Sequence, residues 1–193
     1  MKRACIQYLT ERLEQLTGTD GVSLRYRAVA DVLTGAVQNT FFQDLPRDFL
    51  KDNDYAACCL PLQDRIKPYG KLIGKQRLDD KSGVTLTRRR FTRDVLFRCL
   101  LYAPTDAELW GTANQVGLVD KFVQDVTEHK WLVAGDNSAI RVEPQEPARP
   151  WDSATEDDRK LRRPRLAIVR VLFAGGVQTQ AAQAFIPSFT ITP

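Results

Sequence analysis

A run of nineteen residues, 84–102, constrains the fold of this chain more than any other segment. It is rich in residues with high β-propensity and contains neither Gly nor Pro, so it predicts one strand far longer than the usual length of about five or six residues. The alternate positions of its second half are apolar: Val95, Phe97, Cys99 and Leu101. The first half carries four arginines: Arg88, Arg89, Arg90 and Arg93. We therefore expect the second half to lie in a packed sheet and the first half to project beyond it.

The charge of the chain is unevenly distributed. Lys and Arg number 28 against 24 Asp and Glu, which leaves a net charge of only +4. Residues 65–93 nevertheless hold ten basic and two acidic side chains, and residues 159–170 hold six basic and no acidic ones. The remainder of the chain is therefore acidic, with a net charge of −10. Two basic segments on an acidic body favour charged interfaces over an evenly solvated surface.

The composition argues against several kinds of chemistry. The single histidine, His129, cannot supply a multi-histidine metal site within one subunit. Gly70 and Gly74 enclose three residues instead of the four of a phosphate-binding loop, and Gln76 stands where that loop needs Ser or Thr. The cysteines lack C-x-x-C spacing and are expected to be reduced and structural: Cys5, Cys58, Cys59 and Cys99. We predict no catalytic residue, no metal and no cofactor, and we do not expect an enzyme.

The N-terminal segment is amphipathic and contains Glu11 and Glu14, so it does not read as a secretory signal. No window approaches eighteen consecutive apolar residues, and no membrane span or membrane partner is expected. The sequence therefore predicts a protein of the cytoplasm, or of an assembly built there.

Two segments predict helices. Apolar residues at spacings of three and four predict a helix over residues 3–17. Thr105 and Glu108 form a capping box that predicts a second helix from residue 106, continuing for about six turns to His129 despite Gly111 and Gly117. The tryptophans, Trp131 among them, are expected to anchor the core or loops.

The remaining segments predict short strands over residues 22–26, 55–62, 138–142 and 166–173. A short helical piece is possible over residues 28–33, and the prolines of residues 144–150 indicate a linker. Gly175 and Gly176 should end the last strand and leave residues 177–193 as an extended C-terminal arm. The predicted fold is a single α/β (α+β) domain, 1–193, with a mixed, mainly antiparallel sheet, two main flanking helices and a long projecting hairpin. Insertions are expected near residues 63–85 and 143–164.

The basic segments allow three interpretations. Arginines on an extended strand could neutralise phosphates as a nucleic-acid-binding module, meet acidic surfaces of neighbouring subunits, or form a solvated face without a partner. Single-strand binders usually interleave aromatic residues, and only Tyr69 and Phe91 do so here, which favours protein interfaces. The candidate interface residues are Arg88, Arg89, Arg90, Arg93, Lys71, Lys75, Arg162, Arg163, Phe185 and Phe189.

The order of elements resembles that of the tail terminator, or tail completion, proteins of long-tailed bacteriophages. The resemblance rests on the strand 93–102, the turn Pro104-Thr105-Asp106, the helix opening at Ala107-Glu108-Leu109-Trp110, and the strand 168–173 closing at Gly175-Gly176. It covers about two thirds of the chain, and the segments near 67–81 and 144–164 look like additions to it.

The resemblance implies a structural virion protein, assembled in the host cytoplasm, that forms a homo-oligomeric ring of six subunits on the end of the tail tube. Such a ring stops growth of the tube protein and presents a surface to neck or head-completion proteins. In contractile tails it also meets the sheath protein, and the genome DNA passes through its lumen.

Overall fold

The structure, a computed structural model, describes residues 1–19, 21–31, 54–77, 83–134, 138–150 and 166–184. They form a mixed α/β fold around a mainly antiparallel six-stranded sheet with the order β1-β2-β3-β8-β7-β6. Only β1 and β2 pair in parallel. The elements are α1 (Lys2–Gln15), β1 (Tyr26–Val29), β2 (Ala56–Arg77), β3 (Gly83–Tyr102), α2 (Asp106–Trp110), β4 (Gly111–Thr112), β5 (Gln115–Val116), α3 (Leu118–Glu128), β6 (Trp131–Val133), β7 (Ala139–Pro150) and β8 (Leu166–Ala184).

Strand β3 lies between β2 and β8 and pairs with both over almost its whole length. The long strand predicted over residues 84–102 is therefore confirmed. The four alternate apolar residues of its second half are all fully buried: Val95, Phe97, Cys99 and Leu101. On β8, Phe173 packs edge-on against Phe97 with ring centroids 5.6 Å apart. This half of β3 thus contributes one face of the sheet to the main core.

The sheet buries apolar residues on both faces. One face, together with α1 and α3, forms the larger cluster, which includes Leu9, Phe122 and Cys59. The other face forms a smaller cluster, which includes Cys58, Leu100 and Ile168. Cys58 and Cys59 therefore point to opposite faces of a strand that is buried on both sides.

A polar cluster joins the two longer helices. The Tyr8 hydroxyl of α1 donates to the backbone carbonyl of His129 at 3.0 Å, and Arg12 Nη1 donates to Asp125 Oδ1 at 3.3 Å. Asp125 also lies 3.1 Å from Nδ1 of His129, which caps the end of α3. Burial, reinforced by the nearby Asp125 carboxylate, raises the pKa of Tyr8 to about 12. The neutral, hydrogen-bonded phenol is thus the form that the folded chain favours.

The capping box is only partly as predicted. The Glu108 amide donates to the Thr105 hydroxyl at 3.2 Å, which confirms the N-cap of α2. The Glu108 carboxylate was expected to reach the Thr105 amide. It instead accepts hydrogen bonds from the Thr105 hydroxyl at 2.7 Å and from the buried Tyr55 hydroxyl at 3.2 Å. The carboxylate therefore links the helix start to the sheet.

The single helix of about six turns predicted from residue 106 is wrong. The chain forms the short helix α2, a two-stranded hairpin of β4 and β5, and then α3. Gly111 has φ +85°, which ends α2, and a Cβ on Gly117 would lie 2.4 Å from the backbone nitrogen of Gly111. This close backbone approach requires glycine, and it outweighs the apolar spacing that favoured one continuous helix.

Several predicted strand boundaries and one side-chain placement are also wrong. Strand β1 begins at Tyr26, and Ala28 and Val29 belong to it instead of a helix. Strand β7 continues to Pro150 through the proposed linker, with a register irregularity between Gln145 and Arg149. Trp131 lies on β6 with 58% of its surface exposed, so it does not anchor the core. Hydrogen bonding to neighbouring strands holds these parts of β1 and β7 in β-strands although their local composition predicts a helix or a linker.

The glycines near the end of the chain do not terminate β8, contrary to prediction. The strand runs through Gly175 and Gly176 to Ala184, so residues 177–184 of the predicted arm belong to the sheet. Gly176 pairs with Thr92, and a Cβ on it would lie 2.2 Å from the carbonyl oxygen of Phe91. Glycine permits the close approach of β3 and β8 here. Residues 185–193 lie outside the described residues.

We expect Gly176→Ala to lower the free energy of unfolding by about 1–3 kcal/mol, because the added methyl group would collide with the backbone of β3. Gly175→Ala is the matched control, since its Cβ would meet only side-chain atoms of Ile140 and Met1, at 3.1 Å or more. Denaturant unfolding of both variants measures the difference. Equal losses would contradict the continuation of the β3–β8 ladder past the glycines.

Candidate functional site

The outer halves of three strands form a basic ribbon, defined as residues 64–77 of β2, 83–94 of β3 and 174–184 of β8. The two core clusters extend along β2 as far as Leu60, along β3 as far as Val95 and along β8 as far as Phe173. The ribbon continues beyond those positions as a three-stranded antiparallel ladder to the pairs Arg77↔Val84 and Gly83↔Ala184. It contains nine Lys and Arg residues and two Asp residues. All nine basic residues lie on β2 and β3, and Arg93 is the last of them in the chain. The β8 part of the ribbon carries no charged residue.

The ladder is irregular on both sides of Arg90. On the β8 side, Arg89 pairs with Gln178 and Phe91 with Val177, so Arg90 has no register partner there. On the β2 side, the register shifts between Pro68 and Lys71 across the same position. Such bulges bend a strand and change the direction of its side chains. The run Arg88-Arg89-Arg90 therefore lies at a bend of the ribbon, and Arg90 is exposed there.

The strand register brings like charges together in the ribbon. Lys71 of β2 lies directly opposite Arg89 of β3. Like charges at directly opposite positions destabilise a sheet. Further along the same pair of strands, Arg65 lies opposite Asp94, where the charges are complementary. The register therefore places two basic residues opposite each other at Lys71 and Arg89.

Arg93 differs from the other candidate residues because it has an acidic partner within the subunit. Its Nε donates to Asp64 Oδ1 at 2.8 Å and its Nη2 donates to Oδ2 at 2.5 Å, a bidentate pair. The hydrogen bonds from Arg93 hold the pKa of Asp64 below its ordinary value, with further attraction from Lys2 and the N-terminal amino group. This pair connects β2 to β3 where the ribbon leaves the core.

Besides Arg90 and Arg93, four of the predicted site residues lie in the ribbon, and four lie outside the described residues. Lys71, Arg88 and Arg89 occupy the register positions given above, and Lys75 lies opposite Leu86 with an exposed side chain. The predicted site residues of the second basic segment and of the arm lie outside the described residues: Arg162, Arg163, Phe185 and Phe189. The site that can be described is thus the ribbon alone.

Sequence reasoning missed two features near these residues. Leu62, Ile66 and Tyr69 are exposed on β2, at 41%, 59% and 37%. The sequence shows these apolar residues among the basic ones. It does not show that they are exposed, because that follows from the end of the core cluster at Leu60 on this strand. Arg98 and Arg170, both half-buried, are direct cross-strand neighbours on β3 and β8. That juxtaposition depends on the register, which the sequence alone did not supply.

Both outer strands of the ribbon have an open edge among the described residues. Strand β1 pairs with β2 only up to Cys59, and β7 pairs with β8 only up to Ala174. Beyond those positions, each strand pairs only with β3 in the part of the chain that the structure describes. Unpaired strand edges present rows of backbone N–H and C=O groups that can bind another strand. Within the described residues, the ribbon therefore has two strand edges without a partner strand, and it carries nine basic residues.

The sequence was compared with protein-family models and with curated proteins, and neither comparison found a relative. No protein-family model matches the sequence, and no curated protein is significantly similar to it. Within the described residues, no group of three or more His, Cys, Asp or Glu side chains is placed to hold a metal ion. None of the described helices is long and apolar enough to cross a membrane.

We expect Arg93→Gln to lower the free energy of unfolding at pH 7 by about 1–2 kcal/mol, because it breaks a partly buried bidentate ion pair. Arg90→Gln, at an exposed position, should change it by less than about 0.5 kcal/mol. Denaturant unfolding measures both.

The effect of Arg93→Gln should also depend on pH. The folded-state pKa of Asp64 is lowered, so the pair stabilises the fold above the ordinary Asp pKa of about 3.9 and loses this contribution as pH falls through the lowered value. The difference between wild type and variant should therefore shrink below about pH 4. A difference that is constant from pH 7 to pH 3 would contradict the ion pair.

Proposed function

We propose that this chain is a structural protein of a bacteriophage virion that caps the tail tube as a homo-oligomeric ring, with six subunits as in the tail terminators it resembles. The ring ends tail polymerisation and forms the interface to neck or head-completion proteins, with the genome DNA passing through its lumen. In a contractile tail it also contacts the sheath. Its action is binding without covalent chemistry.

The observation that supports ring formation best is the pair of open edges on one ribbon. Edge strand β8 of one subunit can pair with edge strand β2 of the next, which is a head-to-tail contact. Head-to-tail contacts between identical subunits close into rings when the rotation allows it. Since β2 and β8 both run antiparallel to β3, they are parallel to each other. The contact between subunits would therefore be a parallel strand pair.

The two edges differ in how strongly they resist strand addition. The β2 edge carries Lys67, Pro68, Lys71 and Lys75 and two register irregularities, which are features that discourage edge pairing. The β8 edge, residues 177–184, contains no charged residue and no proline. Two protected β2 edges repel each other, whereas β8 accepts a basic neighbour without like-charge repulsion. The chemistry thus favours β8-to-β2 pairing over β2-to-β2 pairing.

The arginines at the bend supply the contact with the tube or with the neighbouring subunit. Arg88, Arg89 and Arg90 have no acidic register partner on β2 or β8. Arg93 is bound to Asp64 within the subunit, and we assign it to support of the ribbon. The complementary surface is acidic, which the body of this same chain offers with its net charge of −10 outside the two basic segments.

Replacing Arg88, Arg89 and Arg90 together with Ser should leave the subunit folded and abolish ring formation or tube capping. The matched control replaces three exposed cations outside the ribbon, Arg3, Lys130 and Arg141, with Ser. Circular dichroism checks the fold, and light scattering with negative-stain imaging, with and without tube protein, checks assembly. Normal assembly of the ribbon variant would rule out this role for the arginines.

Adding charge to the β8 edge should also prevent ring closure. We expect Gln180→Lys with Gln183→Lys to keep the monomer fold and lose oligomers, because the added cations would face the basic β2 edge. The same two positions changed to Ser remain uncharged and should assemble. Size-exclusion chromatography with light scattering distinguishes the results. Rings from the lysine variant would place the subunit contact elsewhere.

A nucleic-acid-binding module is the second candidate, and the like-charge pair of Lys71 and Arg89 favours an anion at this site. Phosphate binding releases counterions, so DNA binding by the wild type would be lost steeply as salt rises. Rings that form without nucleic acid support the capping function. Salt-sensitive DNA binding by a monomer, lost in the triple arginine variant, would support the module instead.

A further inference from the structure

Two buried thiols face each other across the middle of the sheet. Cys59 of β2 and Cys99 of β3 are direct register partners, and their Sγ atoms are 2.7 Å apart. Both are free cysteines with no exposed surface. Their neighbour Cys58 lies in the cluster on the opposite face. The strand register thus brings together Cys59 and Cys99, which are forty positions apart in the sequence.

The backbone geometry suits a disulfide. Directly opposite residues of an antiparallel pair have Cα atoms about 4.5 or 5.5 Å apart. Disulfides in proteins join Cα atoms about 4.4–6.8 Å apart. We propose that Cys59 and Cys99 are an oxidation site, where a disulfide fastens β2 to β3 at the base of the basic ribbon. This inference is independent of the proposed capping function.

The oxidant is a small-molecule disulfide such as oxidised glutathione. One cysteine thiolate attacks a sulfur of that disulfide, which forms a mixed disulfide and releases one glutathione thiolate. The second cysteine thiolate attacks the protein sulfur of the mixed disulfide and releases the other glutathione. The two cysteines lose two protons and two electrons, and the small disulfide is reduced to two thiols. The S–S bond then joins strands that are already neighbours.

Burial controls when this reaction can occur. The pKa of the Cys59 thiol lies well above its ordinary value because the side chain is desolvated and hydrogen-bonded to Cys99. The thiolate therefore forms when the sheet opens locally and admits water. Leu60, next to Cys59, is the last core residue of β2 before the register irregularity at Pro61. Opening of the ribbon at this point would expose the pair.

The test treats the full chain with oxidised glutathione, in native buffer and in urea below the unfolding midpoint, followed by alkylation and peptide mass mapping. We expect a Cys59–Cys99 cross-link with the loss of two hydrogen atoms, formed at least ten-fold faster in urea. Cys58→Ala should cross-link like the wild type, whereas Cys99→Ala should not. A cross-link through Cys58, or glutathione adducts without a cross-link in urea, would overturn the proposal.

Stability provides the second measurement and uses only the wild-type chain. The cross-linked protein should unfold at a temperature roughly 5–10 °C higher than the reduced protein, since a loop of about forty residues is closed in the unfolded state. Reductant should reverse the shift. An unchanged or lower unfolding temperature would show that the disulfide does not fit the native sheet, and it would overturn the proposal even if Cys99→Ala failed to fold.

Discussion

The pairing of β3 with both β2 and β8 is the constraint on which the rest of the structure depends. Over its second half, β3 carries the residues that α1 and α3 cover, so this half is fixed by burial. Over its first half, Val84 is buried but belongs to neither core cluster, and the strand is paired with both β2 and β8. One strand therefore joins a region stabilised by hydrophobic packing to a region stabilised mainly by its ladder.

The junction between these regions is reinforced by polar chemistry. Asp64, whose carboxylate is also attracted by Lys2 and the N-terminal amino group, forms its bidentate pair with Arg93 just outside Val95, the end of the main core cluster on β3. Cys59 and Cys99 face each other just inside it. An ion pair and a thiol pair thus connect the same two strands on either side of the boundary.

The sequence predicted the structure correctly where the environment of a residue follows from the pattern of its neighbours along the chain. The alternation of Val95, Phe97 and Cys99 predicted the buried half of β3, and Thr105 predicted the start of α2. It failed where two distant backbones meet: Gly176 reads as a strand terminator, yet it is the residue that lets β8 pass close to Phe91. The candidate arginines were likewise visible, but their separation into a paired Arg93 and a bend at Arg90 depends on register.

The two edges of the ribbon bear on two opposing requirements for a subunit that associates through strand edges. Such a subunit must bind its neighbours and yet avoid indiscriminate strand addition. Here the β2 edge is basic and irregular, while the β8 edge is uncharged. In the ring proposed above, the basic charge would disfavour pairing between two β2 edges, and unlike contacts with a fixed rotation would close on themselves. Under that proposal, the clustering of positive charge that first marked this sequence would limit which strands can pair, a role distinct from the binding of anions.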